Sequence, residues 1–363
     1  MSELVREMVQ KAKAYEARDI ELAWEMGPEC VRLSLNESPI QPSPKVKAAI
    51  AEAAERLNVY VPTKELKAAI ARYADRPPEE VVVGGGSSVL IDACMRTFVG
   101  PVDEVVIPVP NFEEFNCRVE LVGGRPIFVK MPPPDFKYDA DRIINAITDR
   151  TKVVVIASPG NPCAQPIPAE DLLRISDDDV IVMLDAAYEE FATKQLSKDE
   201  RVKKAENIVI LRTFSKAFSL AGLRLGYALA SPEVADQLDK AKVVWSLSMP
   251  ACYAGIAALN DLEYLNRTVK TIKEGREYLR TELAKIKGLK PFPSETNFVL
   301  VGARETGRTG AEIRDALMKK NILIKDATNA LGIDGIPYLR ITVGLPKENQ
   351  LLIAALRDFL GAS

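Results

Sequence analysis

The sequence predicts an α/β fold, with a large domain built on a seven-stranded, mostly parallel sheet and a smaller α+β domain. Seven short runs rich in Val and Ile recur between residues 81 and 230, and most are separated by stretches long enough for a helix. Strands that are nearly continuous in β-branched residues are typical of parallel sheets buried on both faces. Near Pro250 this alternation gives way to longer helical patterns, which indicate a second, smaller unit.

The predicted elements follow in chain order. Apolar side chains at helical spacing predict an amphipathic helix over residues 4–15. The seven predicted strands span residues 81–83, 104–109, 126–131, 153–157, 180–184, 208–211 and 226–230. The predicted helices among these strands span 88–98, 141–147 and 168–175. The later predicted elements are a helix over 260–287, a strand over 297–301, a helix over 310–321, a strand over 338–343 and a helix over 347–360. We therefore predict a large domain at 45–255 and a small domain at 256–363, which residues 1–44 join.

The composition excludes several function classes. The chain has 363 residues and no histidine, which excludes a Ser-His-Asp triad and a zinc site built on HExxH, and we expect no metal. Lys and Arg number 48 against 51 Asp and Glu, so the chain lacks the basic excess of a nucleic-acid binder. No apolar stretch reaches the roughly 18 residues of a membrane span. Residues 1–19 lack the apolar region of a signal peptide and the five cysteines share no CxxC spacing, so we expect a cytoplasmic protein.

Polar residues directly follow two of the predicted strands. Asn161 lies just after the strand at 153–157, and Asp185 and Tyr188 follow the strand at 180–184. The carboxyl ends of parallel strands line the ligand crevice of such sheets. We therefore expect these three side chains in one site, and the alternative for Asp185 is the N-cap of a helix.

A glycine-rich turn at residues 84–86 precedes Ser87 and Ser88, at the start of a predicted helix. Glycines let the backbone approach a ligand closely, and the free N–H groups at a helix start bind anions. This pattern favours a phosphate site, and a tight turn without a ligand is the alternative.

The most specific segment runs from Thr213 to Gly226 and has the sequence TFSKAFSLAGLRLG. Its lysine, Lys216, lies among apolar and small residues, with hydroxyl groups beside it and Arg224 eight residues later. Burial lowers the pKa of a lysine and so provides a neutral amine that can act as a nucleophile. An arginine with hydroxyl groups nearby suits a phosphate group.

Taken together, these segments resemble the class I/II aminotransferases, a family of pyridoxal phosphate (PLP) enzymes of fold type I, and are most similar to histidinol-phosphate aminotransferases. The resemblance extends from LSLNESP at residues 33–39 to LRITVG at residues 339–344, which is nearly the whole chain. It implies a homodimeric transferase with PLP as cofactor. Its reaction moves an amino group from an amine donor, here L-histidinol phosphate, to a 2-oxo acid such as 2-oxoglutarate by a two-step cycle through Schiff bases.

The resemblance also implies a role for particular residues. Lys216 forms the Schiff base and moves the proton, and Asp185 holds the protonated pyridine nitrogen; with Tyr188 they are the catalytic residues. The PLP phosphate is held by the backbone N–H groups of Ser87 and Ser88, by Thr213 or Ser215, by Arg224 and, across the dimer interface, by Tyr60. The remaining cofactor contacts are Asn161 and Tyr188 to the phenolic oxygen and Phe112 against the ring. The substrate contacts are Asn36, Lys325 and Arg340, of which Arg340 binds the anionic group.

Departures from the family pattern leave alternatives open. The chain has Cys163-Ala164 where the family usually has Thr-Gly, and Ala186 where it usually has Glu. Lys325 stands where histidinol-phosphate aminotransferases often carry a second arginine, and a lysine lacks the bidentate geometry of arginine. The alternatives are an aminotransferase for another amino acid, aromatic or other, a PLP lyase such as a threonine-phosphate decarboxylase, and a non-catalytic protein with the PLP fold.

Overall fold

The computed structural model describes residues 4–11, 18–177, 179–333 and 335–361. Helix α1, Glu7–Lys11, covers part of the predicted N-terminal helix, and predicted positions 12–15 lie outside the described residues. The strands of the described ranges are β1 Val31–Leu33, β2 Val81–Gly84, β3 Glu104–Val109, β4 Arg125–Lys130, β5 Thr151–Ala157, β6 Ile181–Asp185, β7 Ile208–Thr213, β8 Gly226–Leu229, β9 Lys290–Pro291, β10 Phe298–Gly302, β11 Ile322–Asp326 and β12 Tyr338–Thr342.

Helices separate most of these strands. After α1 they are α2 Arg18–Glu25, α3 Pro44–Ala54, α4 Lys64–Ala74, α5 Ser87–Phe98, α6 Glu114–Val122, α7 Ala140–Ile144, α8 Ala169–Ser176, α9 Glu200–Lys204, α10 Pro232–Ala241, α11 Met249–Leu259, α12 Leu262–Ala284, α13 Gly310–Met318 and α14 Pro346–Leu360. The predicted helix over 260–287 is therefore α12, which ends at Ala284. Among the described residues, none of the helices is long and apolar enough to cross a membrane.

Capping side chains determine where several helices begin. The Ser43 side chain accepts from the N–H of Val46, and the next residue is a proline, so α3 begins at Pro44. Thr309 and Glu312 form a capping box that begins α13.

The large sheet contains seven strands in the order β2-β8-β7-β6-β5-β3-β4. Neighbours from β7 to β4 run parallel, and β8 is antiparallel to both β2 and β7. This confirms the predicted seven-stranded, mostly parallel sheet. Successive residues of β6 pack into different cores, because Val182 and Leu184 join one apolar cluster and Met183 joins the other. The sheet is thus buried on both faces, as its Val- and Ile-rich strands predict.

A second sheet has five strands in the order β1-β11-β12-β10-β9. Of these strands, β10 and β12 are predicted from the sequence, whereas β1, β9 and β11 are not. Strand β1 runs parallel to β11, and the other pairs are antiparallel. In this register Arg340 of β12 lies opposite Lys325 of β11. The domain boundaries at 44/45 and 255/256 stay a prediction.

The carboxyl ends of β5, β6 and β7 meet at one edge of the large sheet. The Ser158 N–H donates to the Asp185 carbonyl at 2.9 Å, and the Ala186 N–H donates to the Leu211 carbonyl at 2.9 Å. Asp185 is the last residue of β6, and Lys216 follows three residues after the end of β7. The topology therefore places Asp185 and Lys216, two of the three predicted catalytic residues, at the same edge.

Candidate active site

Lys216 presents its amine inside the crevice at this sheet edge. Its Nζ donates to the Leu35 carbonyl at 3.2 Å and lies 5.7 Å from the centroid of the Tyr188 ring. Burial, together with the positive charges of Arg340 and Arg224, lowers the pKa of Lys216 to about 8. About a tenth of the amine is therefore neutral at pH 7, and a neutral amine is what a nucleophile or a proton acceptor requires.

Asp185 provides a carboxylate at the neighbouring strand end. Burial raises the pKa of Asp185 to about 6, against the opposing effects of the Ala187 N–H and the charge of Lys216. The Ala187 N–H donates to Oδ1 at 3.1 Å, and a single 3-10 turn, Glu189–Phe191, follows. The predicted alternative of an α-helix N-cap is therefore wrong. A carboxyl whose charge is disfavoured by burial is stabilised by a cation placed against it.

Asn36 connects the segment after β1 to both sheets. Its Nδ2 donates to the Tyr188 hydroxyl at 2.9 Å. The Thr342 hydroxyl donates to Asn36 Oδ1 at 3.1 Å, and Asn297 Nδ2 donates to the Asn36 carbonyl at 2.9 Å. These bonds hold Asn36 at a φ of +55°, in the left-handed region that asparagine tolerates better than most residues. The predicted residues Asn36 and Tyr188 are thus in direct contact.

Arg340 joins the second sheet to the loop after β5. One guanidinium nitrogen donates to Asn161 Oδ1 at 2.7 Å, and the other donates to the Ser34 carbonyl. Lys325, opposite Arg340 in the sheet, lies 3.0 Å from a carboxylate oxygen of Asp19. The structure therefore brings the predicted residues Asn161, Lys325 and Arg340 together.

A cavity of about 180 Å³ opens beside these three residues. Its lining includes the predicted residues Phe112, Asn161, Lys325 and Arg340, together with the acids Glu113 and Asp326. This is the space in which the predicted substrate contacts Lys325 and Arg340 can reach an anion.

The start of α5 lies next to Arg224, and this place, which suits an anion, is called the anion cradle. Ser87 and Ser88 open this helix, and Gly86 before them has a φ of +91°, which a residue with a side chain adopts only with strain. A Cβ on Gly86 would lie 2.7 Å from a guanidinium nitrogen of Arg224, and one on Gly226 would lie 2.6 Å from the Ser87 nitrogen. Glycines at these positions therefore let the guanidinium and the helix N–H groups approach the same point.

The end of β7 completes this cradle with two hydroxyl groups. Thr213 lies opposite Gly226 in the pairing of β7 with β8, and its Oγ1 accepts from the Ser215 N–H at 3.1 Å. Arg224 Nη1 lies 3.3 Å from the Ser215 hydroxyl and donates to the Ala221 carbonyl at 2.9 Å. The predicted phosphate contacts from this chain are thus grouped around one point.

A buried charge cluster, which was not predicted from the sequence, joins the segment after β6 to the end of β7. Arg212, the penultimate residue of β7, makes ion pairs with Glu189 and Glu190 and donates to the Ser197 hydroxyl at 2.9 Å. The two glutamates directly follow Tyr188, so the cluster ties the segment after β6 to β7. The sequence does contain a signal for this cluster, since its two acids and its arginine all lie within apolar stretches. Charges in such stretches are expected to be buried, and buried charges need partners.

Tyr60 lies exposed on the surface of the chain. Its side chain is 77% exposed, and its ring stacks on Trp245, which is 76% exposed, with centroids 4.9 Å apart. Further exposed apolar side chains from the same two segments are Leu57, Val59, Val243 and Val244. These six residues are called the Tyr60 patch. The patch adjoins the anion cradle. Gly85 directly precedes the cradle residue Gly86, Ser246 directly follows Trp245, and a Cβ on Gly85 would lie 3.0 Å from the Ser246 carbonyl.

Comparison with known proteins finds relatives over nearly the whole chain. The family described as aminotransferase class I and II matches residues 28–356. The histidinol-phosphate aminotransferase of Methanosarcina mazei is 35% identical over 329 residues, which cover 90% of this chain and 87% of the relative. That of Methanocaldococcus jannaschii is 32% identical, over 98% of this chain and 97% of the relative. A crystal structure of histidinol-phosphate aminotransferase from Sinorhizobium meliloti, in complex with pyridoxal-5'-phosphate, is similar with a TM-score of 0.89 and 29% identity, over 99% of this chain and 98% of that chain.

Proposed function

Since the chain belongs to the class I and II aminotransferase family, we propose that it moves the amino group of L-histidinol phosphate to 2-oxoglutarate with PLP as cofactor. The family, the fold type and the aminotransferase class were predicted from the sequence and are confirmed. The histidinol-phosphate aminotransferases among the relatives support the choice of donor.

The observation that carries the proposal is the meeting of two buried groups with opposite pKa shifts. Burial lowers the pKa of the Lys216 amine to about 8 and raises the pKa of the Asp185 carboxyl to about 6. Groups perturbed in this way at one crevice are typical of sites that move protons.

The residues present fit PLP. The α5 start with Arg224 suits its phosphate, Asp185 suits a protonated pyridine nitrogen, and Lys216 suits its aldehyde carbon. When bound, PLP supplies a carbon that takes up the amino group and a ring that withdraws electrons from the carbon losing its proton. Asn161 and Tyr188, next to this position, orient the phenolic side of the ring in the proposal.

Lys216 is the proton carrier in the proposed mechanism. With PLP and a donor bound, the neutral Nζ of Lys216 would accept the proton of the donor carbon that bears the amino group and would later give that proton back. A pKa of about 8 suits both tasks, because the amine gains and loses a proton readily near neutral pH. The nearby Leu35 carbonyl and Tyr188 ring hold the amine within the crevice.

Arg340 is the proposed anion contact for donor and acceptor in turn. Its guanidinium is held by Asn161 and the Ser34 carbonyl, so it is oriented before a substrate arrives. Both half-reactions use one site, and a phosphate in the first and a carboxylate in the second can each pair with a guanidinium. We also propose a cytoplasmic location, with which the five free cysteines agree.

A single-turnover experiment tests the proposed donor. The purified, PLP-loaded protein is mixed with L-histidinol phosphate in the absence of any 2-oxo acid. We expect the cofactor absorbance to change to that of the aminated form, and addition of 2-oxoglutarate should restore the first spectrum with one equivalent of glutamate. The glutamate formed is measured by chromatography, so that the amount of product is determined independently of the cofactor spectrum.

Two results would contradict this proposal. A cofactor that responds to an aromatic or other amino acid but not to L-histidinol phosphate would assign a different donor. Release of CO2 from O-phosphothreonine without amination of the cofactor would assign a lyase.

We propose in addition that two copies of the chain associate through the Tyr60 patch, so that each Tyr60 reaches the anion cradle of the other subunit. Six exposed apolar side chains in one patch are unusual for a surface that faces only water. The patch adjoins the cradle through Gly85 and Ser246, so a partner seated on it lies next to the proposed phosphate position.

A tryptophan pair provides a matched test of this interface. Light scattering should give a mass about twice the 39.9 kDa of the chain. Trp245→Asp should give the monomer mass, because it places a charge within the apolar contact. Trp24→Asp, at a residue that is 75% exposed elsewhere on the surface, should leave the mass unchanged. A monomeric wild type, or a Trp245→Asp protein that stays dimeric, would contradict the proposed interface.

A further inference from the structure

We propose that Asp19 limits how strongly this site favours a phosphate-bearing donor, because its carboxylate neutralises Lys325. The inference rests on the proposed function and adds to it a residue that determines specificity. Asp19 acts here through Lys325 and makes no direct contact with the donor.

The ion pair between Asp19 and Lys325 joins the N-terminal part of the chain to the second sheet. Lys325 Nζ lies 3.0 Å from Asp19 Oδ2, and the exposed fractions of the two side chains are 40% and 10%. Asp19 belongs to α2, and α2 packs on β11, which carries Lys325. A carboxylate buried to this degree needs a counter-ion, so Lys325 is committed to Asp19.

Lys325 also faces the position of the substrate anion. It lines the 180 Å³ cavity together with Arg340, its cross-strand neighbour. A phosphate dianion in this cavity would gain from both cations, whereas a donor without a phosphate would gain little from either. The charge that Lys325 offers to the phosphate is reduced by the carboxylate of Asp19 behind it.

The other acids near the cavity compete less directly for this lysine. Asp326 also lines the cavity, but its Oδ1 accepts from the backbone N–H of Thr328 at 3.0 Å, within its own loop. Glu113 lines it from an exposed position, where water and salt screen its charge. The buried Asp19 is therefore the acid with the largest expected effect on Lys325.

The alternative is an opposite effect of Asp19, in which the carboxylate orients the lysine into the cavity and so strengthens phosphate binding. The two effects have opposite signs in one measurement. That measurement is the ratio of kcat/KM for L-histidinol phosphate to kcat/KM for L-histidinol, which has the same amine and no phosphate. In Asp19→Asn, neutralisation predicts a higher ratio and aiming predicts a lower one.

We expect Asp19→Asn to raise this ratio about fivefold or more, within the range of coupling between residues in contact. In a Lys325→Met background the same substitution should change the ratio less than twofold, because no lysine remains to be released. Asp358→Asn is the matched control. Asp358 lies on α14 and pairs with Lys320, so this substitution also removes the acid of a Lys–Asp pair, but away from the cavity. A ratio that falls or stays unchanged in Asp19→Asn overturns the inference.

A stability measurement checks the ion pair without activity. Lys325→Met should lower the melting temperature of the PLP-loaded protein, because it leaves Asp19 buried without its counter-ion. Adding Asp19→Asn to that variant should recover most of the loss. An additive pair of changes would mean that the two side chains do not interact, and would overturn the inference.

The failure of the proposed function is distinguishable from the failure of this inference. A wild type that turns over neither compound contradicts the proposed donor. The same variants are then titrated, in the PLP-loaded form, with inorganic phosphate while tryptophan fluorescence is recorded. Tighter phosphate binding by Asp19→Asn supports the inference, and an unchanged or weaker affinity overturns it.

Discussion

Lys216→Ala should lower kcat by at least about 10³-fold, because it removes both the nucleophile and the proton carrier of the proposed mechanism. The anion cradle does not involve this side chain, so the variant should still bind PLP, but without a covalent bond. Reduction with borohydride followed by mass spectrometry distinguishes the two states. The wild type should retain the mass of the cofactor on Lys216, and the variant should lose it on denaturation.

A second variant of Lys216 separates the role of the neutral amine from that of its charge, and a surface lysine serves as the control. Lys216→Arg keeps a cation at this position but cannot supply a neutral amine near pH 7, so it should be as inactive as the alanine variant. Lys240→Ala removes a lysine that forms an exposed helical ion pair with Asp236, and should leave kcat unchanged. Substantial turnover in either Lys216 variant would place the nucleophile elsewhere.

Asp185→Asn should lower kcat by about 10²- to 10³-fold, the usual cost of losing one preorganised group that stabilises charge in a transition state. Asparagine preserves the shape of the side chain and an acceptor for the Ala187 N–H, but it has no negative charge for the pyridine nitrogen. Burial raises the pKa of Asp185 to about 6, so the assay belongs at pH 8, where the wild-type carboxyl is ionised.

The pH profile adds a second readout for this residue. In the wild type, kcat should fall at acidic pH as Asp185 takes up a proton, and the midpoint should lie below 6 because a cation on the ring lowers the pKa of the carboxyl. The asparagine variant should lack this acidic limb. Asp236→Asn, at an exposed carboxylate, serves as the control. A kcat within about threefold of the wild type would remove the charge of Asp185 from the mechanism.

Local patterns in the sequence were sufficient to predict the large sheet and the proposed catalytic pair. Its strands carry continuous Val and Ile runs, and the sheet buries both of their faces. Asp185 and Lys216 follow strands of this kind, so the chain itself indicates the edge at which they meet. The family resemblance then added roles that no local pattern contains, such as the one for Arg340.

The missed parts depend on contacts between distant segments. Strands β1 and β9 have three and two residues, too few for a periodic pattern. Strand β11 directly follows a predicted helix. Its apolar run is so short that periodicity cannot distinguish it from the end of that helix. The pairing of Asp19 with Lys325 and the cluster around Arg212 require the fold, because nothing in the sequence indicates which of many charges meet.

The contacts of Asn36 have a consequence for the order in which the protein is assembled during synthesis. Its backbone N–H and its side-chain oxygen both bond to the Thr342 hydroxyl, 306 residues further along the chain. Its neighbour Leu35 accepts the hydrogen bond of Lys216, and Ser34 accepts that of Arg340. The segment at residues 34–36 therefore cannot form its contacts with Arg340 and Thr342 until almost the entire chain has left the ribosome. A nascent chain that ends before residue 340 would lack the groups that hold Ser34 and Asn36 in place.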